Sequence, residues 1–118
     1  MVIYRFMVKS IKIVHLKPNA QNLEMWMAYH TDTNETIGHI FMVIEKDQKI
    51  KFLDAWVDSS FRRQGLYRLL WETRWQYVEQ NYKGWTVYAW CKDTSLSLLI
   101  EKGFEPGETV TYVEKTIE

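Results

Sequence analysis

The stretch from Lys51 to Trp71 limits the possible folds of this chain more than any other part of it. It predicts a strand, a short polar turn and then a helix. At such a helix start, the first backbone N–H groups are unpaired and lie at the positive end of the helix dipole, which suits phosphate binding. Arg62 and Arg63 add positive charge that can bond phosphate oxygens, and Gly65 allows a ligand to approach the backbone closely.

The turn lacks the features of two common phosphate-binding loops. A Walker-type loop ends in Gly-Lys followed by Ser or Thr, and a dinucleotide-binding turn has three glycines, whereas this turn has Gly65 alone. The segment from Arg62 to Tyr67 instead resembles the acyl-CoA-binding signature Q/R-x-x-G-x-G/A of the GCN5-related N-acetyltransferases (GNATs). Tyr67 departs from that signature, because the family usually has Gly or Ala there, and its bulk narrows the approach to the pyrophosphate.

The resemblance covers roughly residues 36–104 and implies that acetyl-CoA is the cosubstrate. Backbone N–H groups of residues 64–67 would bind its pyrophosphate, aided by the arginine side chains. Its pantetheine arm would lie between two splayed parallel strands. The candidate cofactor-binding residues are Ala55, Trp56, Val57, Arg62, Arg63, Gln64, Gly65, Leu66, Tyr67 and Ser95.

The rest of the chain predicts a single mixed α/β domain over residues 1–118. One strand, the first helix and the next strand form a right-handed crossover, so those two strands are parallel, whereas the earlier strands form an antiparallel meander. Gly103 and Phe104 are expected to end the second helix in a Schellman motif. Strands are predicted at 2–8, 11–16, 23–30, 36–45, 49–57, 85–90 and 109–117, and helices at 65–82 and from Asp93 or Thr94 to Lys102.

The architecture expected from the resemblance is an acyl-CoA N-acyltransferase-like fold with a mainly antiparallel sheet. The GNAT family usually has two helices near its N-terminus that help to shape the acceptor site. No helical pattern precedes residue 64 here, so these helices are expected to be reduced or absent. The resemblance then implies an acceptor site that is open or completed by a homodimer.

Two positions bear on catalysis. Asp54 lies in an apolar strand, where desolvation would raise the pKa of its carboxyl group and suit a general base. The other interpretation is that Asp54 is a surface acid bonded to a neighbouring turn. The tyrosine that serves GNATs as general acid stands four residues before the glycine of the Gly-Phe pair, and this chain has Leu99 there. The possible replacements, between which the sequence does not choose, are Ser95, Ser97, Tyr67 and Tyr88.

Composition limits the partners and the compartment. Lys plus Arg and Asp plus Glu both total 15, which argues against a broad basic face for nucleic acid. The only cysteine, Cys91, excludes an intrachain disulfide and fits a cytoplasmic protein, and it is expected to be buried and unreactive. No apolar run is long enough for a membrane span, and the three histidines show no metal-ligand spacing, so no metal is expected.

Three functions remain open at this point. The favoured one is an N-acetyltransferase that moves acetyl directly from acetyl-CoA to a small-molecule or protein amine. The second is a catalytically weak or inactive module of the same fold that binds CoA or another protein, which Leu99 and Tyr67 favour. The third is a structural domain whose exposed tryptophans form an interface.

Overall fold

The computed structural model describes residues 2–5, 10–53, 55–90, 93–106 and 112–118. Its two α-helices are α1 (Leu66–Asn81) and α2 (Asp93–Glu101), and a 3-10 turn spans Ser59–Phe61. The strands are β1 (Val2–Arg5), β2 (Ile11–Leu16), β3 (Leu23–His30), β4 (Thr36–Glu45), β5 (Lys49–Phe52), β6 (Trp56–Val57), β7 (Thr86–Trp90), β8 (Glu105–Pro106) and β9 (Tyr112–Thr116).

The described strands form one sheet in the order β1-β2-β3-β4-β5-β7-β9-β8, with β6 beside β4. β5 and β7 pair in parallel, and the other recorded pairs are antiparallel. The predicted mixed sheet with a parallel strand-helix-strand crossover is confirmed. The prediction that residues 2–5 and 11–16 form strand rather than helix is also confirmed. Residues 6–8 of that prediction lie outside the described residues.

The predicted element bounds agree with the structure except near three features. The predicted strand 49–57 is wrong in its middle, because β5 ends at Phe52 and β6 begins only at Trp56. The short strand β8 was not predicted. The final strand begins at Tyr112, and the predicted residues 109–111 lie outside the described part of the chain.

Both α-helices lie on the same face of the sheet. Buried side chains at alternate positions, such as Trp26 in β3 and Ile40 and Met42 in β4, form the core with the apolar side of α1. α2 is joined to α1 by an ion pair between Arg68 and Glu101, with 2.9 Å between Nη2 and Oε2. No helix among the described residues has the length and apolarity needed to cross a membrane.

The Schellman motif at the end of α2 is confirmed. The backbone N–H of Phe104 donates to the carbonyl oxygen of Leu99 at 3.1 Å, and that of Gly103 donates to Ile100 at 3.0 Å. Gly103 has a φ of +89°, in the left-handed region that favours glycine. Phe104 and Leu99 are both only 2% exposed, so this end of α2 anchors it in the core.

The break between β5 and β6 is held by Arg74 of α1. Its guanidinium Nη1 donates to the carbonyl oxygens of Phe41 at 2.8 Å and Leu53 at 2.9 Å. The guanidinium carbon lies 3.7 Å from the centre of the Phe52 ring, and Arg74 is 2% exposed. A buried cation on the core-facing side of α1 therefore fixes the backbone where the strand is interrupted.

We predict that Arg74→Met destabilises the fold and loosens this break. Methionine keeps much of the apolar stem but removes the donors. The Phe41 carbonyl oxygen keeps its bond from the N–H of Leu53 at 3.1 Å, whereas the Leu53 carbonyl oxygen loses its bond from Arg74, and leaving a buried acceptor without a partner costs about 1–3 kcal/mol. Chemical denaturation should therefore show a lower free energy of unfolding. Gln76→Met, at an exposed position of α1, is the control, and an equal effect of the two changes would contradict the role of Arg74.

Candidate functional site

A cavity of about 660 Å³ lies where the interrupted strand meets the start of α1. This volume is in the range of 300–1,000 Å³ that is typical of small-molecule sites. Its lining combines a strand wall, the turn after it and the first turn of the helix. The described residues that line it are Ala55, Trp56, Val57, Arg62, Arg63, Gly65, Tyr67 and Arg68. The structure thus brings together most of the residues that the sequence selected as cofactor contacts.

Two further candidates, Gln64 and Leu66, are not among the described residues that line this cavity. The side chain of Leu66 is 2% exposed and belongs to the core. The side-chain amide of Gln64 donates to the carbonyl oxygen of Ser60 at 3.2 Å. Ser95 lies in α2, but its side chain is outside the described residues, as is the whole of Asp54.

The start of α1 is open to a ligand. Gly65 is the N-cap residue, with a φ of +84° and no side-chain hydrogen bond to the helix. The first intrahelical bond runs from the N–H of Leu69 to the carbonyl oxygen of Gly65, at 2.9 Å. The backbone N–H groups that precede Leu69 in the first helical turn have no partner within the helix. They point out of the helix, at the positive end of its dipole.

Positive charge surrounds the cavity, and its described lining contains no acidic residue. Arg62 is held at the wall, where its Nε donates to the carbonyl oxygen of Val57 at 3.1 Å. Arg63 is exposed and has a φ of +62°. Arg68 donates through Nη2 to both carboxylate oxygens of Glu101, at 3.1 and 2.9 Å, so part of its charge is balanced. The site is therefore electrostatically suited to an anion.

Arg68 also lines the cavity, although the sequence did not select it as a cofactor contact. The available signal was its spacing from Gly65, because residues three apart lie close to the same side of a helix. That spacing brings Arg68 back toward the turn that carries the other two arginines.

A group of aromatic rings borders the cavity on the face opposite the helices. His39 of β4 pairs with Trp56 of β6, and the two ring centres are 5.4 Å apart. The His39 ring is also stacked on Phe41, with 4.2 Å between centres and 6° between planes. Burial lowers the pKa of His39 below its ordinary value, so its imidazole is neutral at pH 7. The sequence did not reveal this contact, because it depends on the register between two strands.

We predict that His39 makes the fold less stable in acid. Since its pKa is lowered in the folded state, the unfolded chain takes up the proton first as the pH falls below about 6.5. Stability contributed by neutral His39 is present above that pH and is lost as the pH approaches the lowered folded pKa. His39→Phe should reduce the loss of melting temperature between pH 7.5 and 5, measured by circular dichroism, and an unchanged loss would contradict the assignment.

A second polar group, which sequence reasoning also missed, lies beneath α1 and outside the cavity lining. His15 and Glu24 are both fully buried, with 2.5 Å between Nε2 and Oε2, and the Tyr82 hydroxyl donates to Glu24 Oε1 at 2.9 Å. Burial and the neighbouring Glu24 raise the pKa of Tyr82. This network links β2 and β3 to the end of α1. Over the described ranges, no group of three or more His, Cys, Asp or Glu side chains could hold a metal ion.

Comparison with known proteins identifies the fold. No protein-family model matches the chain, and no curated protein matches its sequence. Among solved structures, it is similar to the ribosomal-protein-S5-alanine acetyltransferase of Vibrio fischeri, with a TM-score of 0.71 and 10% identity over 100% of this chain and 98% of the other. It is also similar to an Escherichia coli GNAT-family N-acetyltransferase in complex with CoA, with a TM-score of 0.63 and 20% identity over 80% of this chain and 59% of the other.

A GNAT-family acetyltransferase of Staphylococcus aureus gives a TM-score of 0.61 at 14% identity, over 83% of this chain and 70% of the other. At these identities the similarity establishes the fold. The chain has the GNAT acetyltransferase fold, as the resemblance of residues 62–67 and of the Gly103-Phe104 pair led us to expect.

Proposed function

We propose that this protein is an N-acetyltransferase that binds acetyl-CoA in the cavity and transfers its acetyl group to an amine. The observation that carries the proposal is the position of the cavity at an open helix start, with three arginines and no acid in its described lining. A GNAT-family neighbour was solved in complex with CoA, which supports a thioester of this kind as the ligand. The single cysteine fits a reducing compartment such as the cytoplasm.

The two ends of the cavity suit the two chemically different parts of the cosubstrate. The N–H groups at the start of α1 and the side chains of Arg62 and Arg63 would bind the pyrophosphate. The bond from Arg62 to Val57 uses one of the five N–H donors of its guanidinium and leaves the others for phosphate. Ala55, Trp56 and Val57 provide the wall for the pantetheine arm.

The reaction requires little covalent chemistry from the protein. The neutral amine nitrogen attacks the thioester carbonyl carbon, the C–N bond forms and the C–S bond breaks. CoA leaves as a thiolate and takes up the proton that the attacking nitrogen loses as it becomes an amide. The protein holds the amine and thioester together, and a base accepts the proton that the acceptor ammonium loses. We assign that base to Asp54, which follows Leu53 at the break between β5 and β6.

We predict that acetyl-CoA raises the melting temperature of the protein and that Gly65→Glu removes this effect. A ligand that binds only the folded state stabilises it, and a carboxylate at the helix start would repel the pyrophosphate. Differential scanning fluorimetry across a range of acetyl-CoA concentrations gives the shift and an apparent affinity.

Gly84→Glu is the matched control. Gly65 and Gly84 have φ values of +84° and +85°, and an added Cβ would meet nothing within 4 Å at either position. Both changes therefore impose the same kind of backbone strain, but only Gly65 lines the cavity. If Gly84→Glu retains the thermal shift and Gly65→Glu loses it, the site is supported. No shift in the unmodified protein, or equal shifts in both variants, would refute this site.

We predict that Asp54→Asn lowers turnover by roughly a hundredfold or more and leaves acetyl-CoA binding nearly unchanged. The amide keeps the shape of the carboxylate but cannot accept the ammonium proton. Turnover is measured as thiol release with a panel of amines, and binding by calorimetry. A lower melting temperature with preserved turnover per folded molecule would instead identify Asp54 as a structural acid.

The position of Leu99 favours a second candidate function, a CoA-binding module without catalysis. GNATs usually place their thiolate-protonating tyrosine here, whereas Leu99 is an apolar side chain that is 2% exposed in the core. Binding of acetyl-CoA without thiol release, over the full amine panel, would support this candidate and refute the enzyme. Thiol release that depends on an added amine would decide for the enzyme.

A further inference from the structure

A second, smaller cavity adjoins the candidate site on the side of α2. It has a volume of about 260 Å³ and is lined by Arg68, Ser97, Leu98 and Glu101. Arg68 is the residue that the two described linings share, so the two cavities meet at its side chain. The smaller volume is below the range of about 300–1,000 Å³ that is typical of small-molecule sites, so it suits one end of a ligand whose remainder lies in the larger cavity.

The three arginines of the candidate site lie at two levels along the axis of α1. Arg62 and Arg63 belong to the turn before the helix, whereas Arg68 is the third residue of the helix itself. At a rise of about 1.5 Å per residue, Arg68 lies roughly 4.5 Å beyond Gly65 along that axis. The proposed pyrophosphate contacts use the N–H groups at the helix start and the two arginines of the turn. Arg68 is therefore available for a different anionic group of the ligand.

CoA carries such a group. Beyond its pyrophosphate it has a third phosphate, a monoester on the ribose, and a phosphate monoester bears about 1.5 to 2 negative charges at neutral pH. Arginine binds phosphate oxygens well because its N–H donors match them in pairs. Glu101 occupies only Nη2 of Arg68, and Nε and Nη1 have no partner among the described residues. Donors for a phosphate are therefore present where the two cavities meet.

The ion pair between Arg68 and Glu101 can open without disturbing the fold. The two side chains are 58% and 51% exposed, and exposed ion pairs contribute little to stability. Glu72, another acid near Arg68, is paired with Lys102, with 2.7 Å between Nζ and Oε1. This second pair would still join α1 to the residue that follows α2 after Arg68 has turned away from Glu101.

The position of Glu101 is not explained by the stability of α2. Glu101 is the last residue of that helix, where the negative end of the helix dipole disfavours an acid. Its partner among the described residues is Arg68. The charge of Glu101 therefore acts mainly on the smaller cavity, where it neutralises part of Arg68 and repels an anion.

We infer that this chain selects CoA over dephospho-CoA through Arg68, and that Glu101 weakens the selection by competing with the ribose phosphate for the Arg68 guanidinium. The inference rests on the proposed function, because its ligand is the proposed cosubstrate. It adds the residue that distinguishes the cosubstrate from a close analogue, and an acid of the same chain that limits the affinity.

We predict that the protein binds CoA roughly tenfold more tightly than dephospho-CoA, which lacks only the ribose phosphate. Arg68→Gln should bring the two affinities close together by weakening CoA, and should leave the affinity for dephospho-CoA nearly unchanged. Lys83→Gln removes one positive charge at an exposed position beyond the other end of α1 and should keep the selection. Isothermal titration calorimetry at one fixed salt concentration measures the affinities, and circular dichroism confirms folding.

Glu101→Gln tests the competition and does not depend on whether Arg68→Gln folds. Glutamine keeps the shape of the side chain and removes its charge, so CoA should bind about threefold more tightly, as expected for the loss of an exposed ion pair. The affinity for dephospho-CoA should stay nearly the same, and Glu101→Gln should have no effect when it is combined with Arg68→Gln. Glu79→Gln removes an exposed acid from α1 and is the control.

The comparison of the two ligands separates this inference from the proposed function. Equal affinities for CoA and dephospho-CoA, or a difference that Arg68→Gln does not reduce, would overturn the inference and leave the proposed function intact. Weaker or unchanged binding of CoA by Glu101→Gln would overturn the competition. If neither compound binds the unmodified protein, the proposed function is refuted and the inference is refuted with it.

Discussion

The cavity depends on one buried cation. Arg74 projects from α1 into the core, where its guanidinium lies against the Phe52 ring and donates to the carbonyl oxygens of Phe41 and Leu53. An unpaired buried charge would be costly, but the carbonyl dipoles and the ring face compensate it. The same bonds satisfy backbone groups that an uninterrupted strand would satisfy through the sheet. The interruption between β5 and β6 is thereby a stable feature, and the cavity wall from Ala55 to Val57 begins there.

Most of the fold was predictable, because its signals are local in the sequence. The apolar stripe of α1 and the Gly103-Phe104 pair each specify a helix or its end from nearby residues. The turn from Arg62 to Gly65 was predictable for the same reason. The strand interruption was not, since it depends on Arg74, which lies 21 residues from Leu53 in the chain. Arginine in a helix is usually exposed, so nothing in its local pattern indicated burial.

The faces of the sheet show a different limit of sequence reasoning. In β3 one alternating set is apolar throughout, while the set that faces the helices combines Trp26 and Ala28 with Glu24, so the pattern predicts a strand but does not show which face the helices cover. Glu24 points inward because His15 and Tyr82 supply its hydrogen bonds there, and these partners come from β2 and the end of α1. The carboxylate of this strand is thus buried, whereas Met25 and Met27 lie on the face opposite the helices.

The two halves of the proposed site have different origins in the chain. Its phosphate-binding part is formed by residues 55–68, which are nearly continuous in sequence, so it is set by one strand end, one turn and one helix start. The acceptor part has no such local source. β2 and β3 are joined by a short turn and not by a helix, and in that turn Asn19 Oδ1 accepts hydrogen bonds from the N–H groups of Gln21 and Leu23. In the described residues, the cavity is bordered on the face opposite the helices by Trp56, whose partner across the strands is His39. Side chains on that side of the cavity are therefore brought together by strand register and not by a local sequence motif, so an acceptor bound there would contact residues that are distant in the chain.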